Sequence, residues 1–276
     1  MTLARPLPMR SLLFVPAPQI DRVAKAIACG ADAVVVDWED AVAADQKIAA
    51  RAATLTYLTA HPETKVWVRL NAVDSPYHDE DVQACARATG VIGVLLPKTE
   101  CGDAVSRLAE RLGKPIIALI ETPVGVVHLA NIATATGLHR LSYGGLDLAH
   151  LLGATPNTPG GELIMHQLRF QLLLHSQING LAAPIDTVYP DFKDATGLAE
   201  RVGCWHQMGF AGMLCIHPQQ VAVVHDLLAP SPALLAWAQA VVDEANASGR
   251  LAFQLDGEMI DAPVIARAQR LLASMA

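Results

Sequence analysis

Gly113-Lys114-Pro115-Ile116-Ile117-Ala118-Leu119-Ile120-Glu121-Thr122 reads as a helix stop followed by a strand. Glycine ends a helix cheaply because it takes the left-handed conformation without a Cβ penalty, and a proline just beyond keeps the helix from resuming. The unbroken apolar run Ile116 to Ile120 then describes a strand buried on both faces, as in a parallel sheet covered by helices. It closes on a carboxylate, Glu121.

Working outward, similar runs stand at Ser11–Pro16, Ala33–Glu39, Val66–Asn71, Gly93–Lys98, Arg140–Asp147, Ala183–Tyr189 and Gly212–Pro218, which with Ile116–Thr122 makes eight. Helical spacing follows them, as in Ile20, Val23, Ala24, Ile27 and in Ala104, Val105, Leu108, Leu112. Glycine breaks recur before the strands, at Cys29–Gly30, Thr89–Gly90, Asn179–Gly180 and Met208–Gly209. Eight β/α units in about 220 residues predict a closed (β/α)8 TIM barrel over residues 9–228 rather than an open doubly wound sheet. No GxGxxG or GxxxxGK[ST] turn is present to suggest a nucleotide fold. Residues 229–276 read as a C-terminal helical and hairpin extension and a candidate lid: a helix from Ala233 to Asn246, a hairpin around Asp256–Gly257, and a helix from Pro263 to Ala273.

Composition narrows the function classes. With 276 residues and 52% hydrophobic content the chain can bury a full core. Its net charge of −7 and the lack of a basic run argue against nucleic acid or an anionic membrane as partner. No apolar run approaches the roughly eighteen residues of a membrane span. Met1–Pro8 has no apolar signal core, so a cytoplasmic location is expected. The five cysteines, Cys29, Cys85, Cys101, Cys204 and Cys215, contain no CxxC pair and read as reduced, mostly buried thiols.

Catalytic groups of such barrels come from the carboxyl ends of the strands. Here those ends carry Asp37-Trp38-Glu39-Asp40, Arg69, Lys98, Glu121, Asp147 and Asp186. Glu121 and Asp147, on adjacent strands, are candidate ligands for one Mg²⁺, a hard cation that takes one or two carboxylates together with waters and substrate oxygens. The alternative is that Asp147 caps a helix Leu148–Leu152 and Glu121 pairs with Lys98. Arg69 is placed to bind a carboxylate or a developing enolate bidentately, or else to form a buried salt bridge with Asp37 or Glu39. Asp37 is the candidate to orient it. Lys98 is the residue a Schiff-base aldolase would use.

The blocks Arg10-Ser11-Leu12-Leu13-Phe14-Val15-Pro16, Asp37-Trp38-Glu39-Asp40-Ala41-Val42, Ile120-Glu121-Thr122-Pro123-Val124-Gly125, Tyr143-Gly144-Gly145-Leu146-Asp147 and Ile185-Asp186-Thr187-Val188-Tyr189, in that order, resemble the citrate lyase β-subunit family of HpcH/HpaI aldolases. The resemblance implies Glu121 and Asp147 as Mg²⁺ ligands, Arg69 and Glu121 as substrate-binding residues, and Asp261 as a residue that completes the site; with Asp37, read from its strand end, Arg69 and Asp261 are the catalytic candidates. Asp37 and Asp261 are the two proton-shuttle candidates. Asp261 lies in the lid-like segment Gly257–Pro263, where a neighbouring subunit can complete the site, and otherwise reads as a helix N-cap. Ala17–Pro18 and Trp38 depart from the usual pattern near the rim. The implied reaction is Mg²⁺-dependent cleavage of a citramalyl-, citryl- or malyl-CoA type 3-hydroxyacyl thioester, carried on CoA or an acyl carrier, to a 2-oxo acid and an acyl thioester. A homo-oligomer, trimer or hexamer, goes with it. The alternatives are a metal-dependent aldolase on free hydroxy-oxo acids and a β subunit active only in a citrate lyase-type complex. Arg10, Arg22 and Lys25 are candidates for a CoA-phosphate patch.

Overall fold

The computed structural model describes residues 9–273. Met1–Pro8, read above for a secretory signal, lie outside the described residues. Eight parallel strands close into a barrel in sequence order: β1 Ser11–Pro16, β2 Ala33–Asp37, β3 Val66–Arg69, β4 Val91–Leu96, β5 Ile116–Ile120, β6 Leu138–Tyr143, β7 Ile185–Asp186 and β8 Gly212–Cys215. The expected (β/α)8 fold is the observed one. The helices of the barrel unit are α1 Val23–Ala28, α2 Lys47–Ala60, α3 His78–Arg87, α4 Gly102–Leu112, α5 Pro123–Val127, α6 Leu129–Ala133, α7 Gly145–Leu152, α8 Pro159–Ile178, α9 Ala195–Met208 and α10 Pro218–Leu228. Beyond them come α11 Pro232–Ser248, the hairpin β9 Phe253–Leu255 and β10 Glu258–Ile260, and α12 Ala262–Ala273. By Cα proximity the chain divides into two compact units, one ending at Asp226 and one beginning at Leu227. Among the described residues no single helix is long and apolar enough to cross a membrane.

The period-two pleat explains why the rim is polar while the barrel is dry. Leu12, Val35, Trp67, Ile117, Leu119, Ile185 and Leu214 belong to one buried cluster. Two residues further along a strand lies the same face. That step leads from Val35 to Asp37, from Trp67 to Arg69, from Leu119 to Glu121 and from Ile185 to Thr187, so the apolar layers end in a polar one. Trp67 is accommodated because its neighbour across the ladder is Gly93, where a Cβ would run into the indole ring.

Several element ends differ from those read in the sequence. The strand expected over Ala183–Tyr189 pairs only at Ile185 and Asp186; Pro184, with no N–H to donate, limits the ladder on its amino side. The run expected over Arg140–Asp147 ends as a strand at Tyr143, and Gly144 turns it into α7. Gly113, Gly180 and Gly209 take positive φ after their helices, but Gly90 does not. Its role is spatial, since a Cβ would press on Leu58 and on the Thr64 carbonyl. The cysteines are less buried than expected: Cys85 and Cys215 are buried, Cys29 and Cys204 partly so, and Cys101 is exposed.

In the second unit, Ala238, Val241, Phe253, Ile260, Ile265 and Ala268 form a small core. Its hairpin turns at Asp256 and Gly257, both with positive φ, as a tight two-residue connection requires.

Gly93→Ala is expected to destabilise the barrel by about 1–3 kcal/mol, the range for overpacking a filled core, seen as a lower urea midpoint at unchanged slope.

Candidate active site

Asp37 and Arg69 are partners in the β2–β3 ladder. Arg69 Nε donates to Asp37 Oδ1 at 2.7 Å and Nη2 to Oδ2 at 2.6 Å, a bidentate pair that fixes the guanidinium plane. Asp37 also accepts from the Glu39 and Ala41 backbone N–H groups, at 2.9 and 3.2 Å. Each of its oxygens therefore takes two bonds. The Phe14 ring lies 5.0 Å from the guanidinium carbon, and Arg69 Nη1 makes ion pairs with Glu39 at 3.1 Å and Asp40 at 3.6 Å. Burial works against the charged guanidinium, but Asp37, then Glu39 and Asp40, outweigh it and push its pKa up. The alternative of a salt bridge to Asp37 or Glu39 is thus realised with both.

Lys98, at φ 46° just beyond β4, turns its ammonium onto the Glu39 carboxylate. Burial favours the neutral amine, yet Glu39 and Asp40 more than cancel it and raise the lysine pKa. Glu39 itself is pushed up by burial, with Arg69 and Lys98 pulling it down.

Glu121 is buried at the end of β5. The predicted pairing with Lys98 exists through the backbone: Glu121 Oε1 accepts the Lys98 N–H at 2.8 Å. Among the described residues Oε2 has no hydrogen-bond partner, and it faces Gly144, where a Cβ would collide with it. Burial, reinforced by the nearby Glu39 charge, pushes the Glu121 carboxyl up to about 7.

Asp147 sits in the first turn of α7 rather than at a strand end. It does not cap a helix Leu148–Leu152: the helix starts at Gly145, and Asp147 makes no hydrogen bond or ion pair among the described residues. Its helix is anchored instead by Gly145 N–H donating to Thr187 Oγ1 at 2.9 Å. Asp37, Asp40, Arg69, Glu121, Asp147 and Thr187 all line one cavity of about 430 Å³ at the carboxyl rim. Two carboxylates with unfilled acceptor positions on one wall suit a hard cation, although among the described residues no three or more His, Cys, Asp or Glu side chains are placed to hold a metal ion together. Carboxylates outnumber cations on this wall, so added positive charge would be stabilised.

Other candidates fall elsewhere. Asp261 lies in the second unit, where its Oδ1 accepts the Val264 N–H at 3.2 Å and caps α12, the alternative read from sequence. Arg10 precedes β1, at the opposite end of the barrel, and forms a bidentate pair with Asp32. It does not join Arg22 and Lys25 in a rim patch. Trp38 is buried and donates to Thr54 of α2 at 3.0 Å, so this departure from the usual pattern faces the helix layer and not the cavity.

Sequence reading did not single out Phe14, Thr187 or Gly144. The first two were legible in principle as residues two positions beyond the buried Leu12 and Ile185; nothing local marked Gly144. Behind the cavity wall, Tyr143 donates to Asp186 Oδ1 at 2.6 Å while Arg169 Nε donates to the same oxygen at 2.9 Å. Asp186 thus supports the wall from behind.

A closed β/α barrel with an ordered arginine and acidic side chains at its carboxyl rim is the frame of an aldolase-type carbon–carbon lyase. Residues 10–218 match the HpcH/HpaI aldolase/citrate lyase family, and the chain belongs to it. It is 35% identical over 284 residues to the citrate lyase subunit beta-like protein of Deinococcus radiodurans, covering 98% of both chains. It is 30% identical over 290 residues to the mitochondrial citramalyl-CoA lyase of Homo sapiens, covering 95% of this chain and 84% of that one. Its fold is similar to that of CitE from Mycobacterium tuberculosis in complex with magnesium, acetoacetate and coenzyme A, with TM-score 0.83 and 35% identity over 96% of this chain and 97% of that one.

Asp37→Ala is expected to cost about 3 kcal/mol of stability, because it removes the bidentate partner of a mostly buried guanidinium and leaves it only the longer contacts to Glu39 and Asp40. Asp40→Ala, at a side chain 55% exposed, should cost less than about 1 kcal/mol. Urea titration of both variants checks the contrast.

Proposed function

We propose that this chain is a Mg²⁺-dependent lyase that cleaves a 3-hydroxyacyl-CoA, of the citramalyl, citryl or malyl type, to a 2-oxo acid and an acyl thioester. The observation that carries the reading is the pairing, in one cavity, of an arginine locked by Asp37 with two carboxylates, Glu121 and Asp147, that have acceptor positions to spare. The magnesium and coenzyme A of the related CitE structure and the citramalyl-CoA activity of the human relative support it.

The reaction breaks the bond between C2 and C3 of the thioester. The hydroxyl proton leaves, the C3 oxygen becomes the carbonyl of the 2-oxo acid, and the bonding pair passes to C2 as the thioester enolate. A proton added at C2 completes the acyl thioester. Glu121 and Asp147 would hold Mg²⁺, which when bound supplies Lewis-acid stabilisation to the oxygens of the oxo-acid half. Arg69, with N–H groups left over after Asp37 is satisfied, stabilises charge on the enolate oxygen. Asp37 positions Arg69; with both its oxygens engaged twice it is a poor proton carrier. The proton shuttle is assigned to Asp261 of a neighbouring subunit, as the family resemblance implies; its Oδ1 caps α12 and its Oδ2 has no hydrogen-bond partner among the described residues. A Schiff-base route through Lys98 is disfavoured, since its ammonium is bound to Glu39 and held charged.

The test is an assay of the purified chain with Mg²⁺ against these three CoA thioesters and the corresponding free acids. Glu121→Ala and Asp147→Ala are expected to abolish cleavage, and Asp261→Asn to lower kcat with Mg²⁺ affinity unchanged. Full activity in EDTA, or turnover of the free acids alone, overturns the reading. Since the Glu121 proton competes with the cation, apparent Mg²⁺ affinity should fall roughly tenfold per pH unit below pH 7 and level off above it, as calorimetry across pH 5.5–8 would read directly.

A further inference from the structure

Of the side chains lining the rim cavity, three carry a hydrogen-bond donor: Arg69, Tyr143 and Thr187. The other polar ones, Asp37, Asp40, Glu121 and Asp147, only accept when ionised. Arg69 is bound to Asp37 and held near Glu39 and Asp40. Tyr143 gives its hydroxyl hydrogen to Asp186, which does not line the cavity. Thr187 differs from both. It is 5% exposed, and its Oγ1 accepts the Gly145 N–H at 2.9 Å. A hydroxyl that accepts still has its own hydrogen to donate, and among the described residues that hydrogen has no acceptor.

The barrel gives this donor a direction. Arg69 ends β3 and Thr187 directly follows β7, and these strands stand opposite each other in the closed ring. Glu121, after β5, and Asp147, in the helix after β6, lie on the Thr187 side. The cavity therefore has a charged donor on one wall, and on the other a neutral donor beside the two carboxylates.

We infer that Thr187 is a substrate-contacting residue whose hydroxyl donates to the carboxylate of the oxo-acid half, while Arg69 faces the thioester half across the barrel. The inference rests on the lyase reading given above, in which Glu121 and Asp147 hold the oxo-acid half through Mg²⁺. A carboxylate offers about four acceptor positions, so one held by a cation still has room for the hydroxyl. With acidic groups on this wall and Arg69 on the far one, Thr187 is the side-chain donor within reach of an anion placed there. The contact is made in substrate and product alike. It therefore strengthens binding without favouring the transition state over the bound state, and its loss is read in KM rather than in kcat.

The experiment compares the wild-type chain with Thr187→Val, which keeps the shape and removes the hydroxyl, and Thr187→Ser, which keeps the hydroxyl. Calorimetry measures Mg²⁺ alone, then pyruvate, glyoxylate and oxaloacetate in saturating Mg²⁺; kinetics follow the thioester that releases the tightest-binding of these acids. In Thr187→Val the affinity for that acid is expected to fall about tenfold or more, the range for a hydrogen bond to a charged group. KM should rise by a like factor with kcat little changed, and Thr187→Ser should restore both. Affinity for Mg²⁺ alone should stay within about threefold, since a first-turn helix N–H such as that of Gly145 can be satisfied by water instead. If Thr187→Val does not fold, Thr187→Ala is read in its place. An oxo-acid affinity unchanged in Thr187→Val overturns the inference, as does a fall in kcat at constant KM. A parallel loss of Mg²⁺ and oxo-acid affinity also overturns it, since Thr187 would then act only by anchoring α7. A wild-type chain that binds none of the three acids in the presence of Mg²⁺ overturns the lyase reading itself, and this contact with it.

Discussion

The bidentate ion pair between Arg69 and Asp37 is the constraint on which the rim depends. It joins two residues that the β2–β3 register already places side by side, so little side-chain freedom remains to be lost when the pair forms. The guanidinium is buried over Phe14 and would be costly to hold there without a counter-charge. With Asp37 taking Nε and Nη2, the guanidinium plane is fixed and Nη1 is held near Glu39 and Asp40. A fixed plane is what a group needs if it is to stabilise charge that develops at one oxygen during a reaction.

Around that pair the charges are unequal. Glu39 and Asp40 share Arg69 and Lys98 between them, leaving Glu121 to feel the acidic surplus as well as its own burial. Its raised pKa is the outcome. A divalent cation held by Glu121 and Asp147, as proposed above, would relieve the same surplus. The backbone serves this arrangement at two points. Lys98 at positive φ turns its N–H toward Glu121, and Gly144 leaves room for the carboxylate.

A second buried network supports the first from behind. Asp186 binds both Arg169 and Tyr143, and the next residue, Thr187, accepts the Gly145 N–H that starts α7. The short strand β7 therefore does more through its side chains than through its ladder. It ties the end of β6, the start of α7 and the long helix α8 into one rigid wall, and Asp147 rides on that wall.

The barrel was legible in the sequence because each β/α unit writes its own signal: an apolar run, a helical period, a glycine or proline stop. The polar ends of those runs also gave the rim its candidates, since a residue two places beyond a buried one lies on the same face of a strand. Which candidates would meet was not legible. Asp37 pairs with Arg69 because of register, the Lys98 ammonium goes to Glu39 while only its N–H reaches Glu121, Asp147 shifts from a strand end into a helix, and Arg10, at the amino end of β1, pairs with Asp32 away from Arg22 and Lys25. Local chain chemistry decides where a strand or helix can form, whereas these pairings depend on closing eight strands into a ring, which brings together side chains far apart in sequence and leaves burial and charge to choose among them.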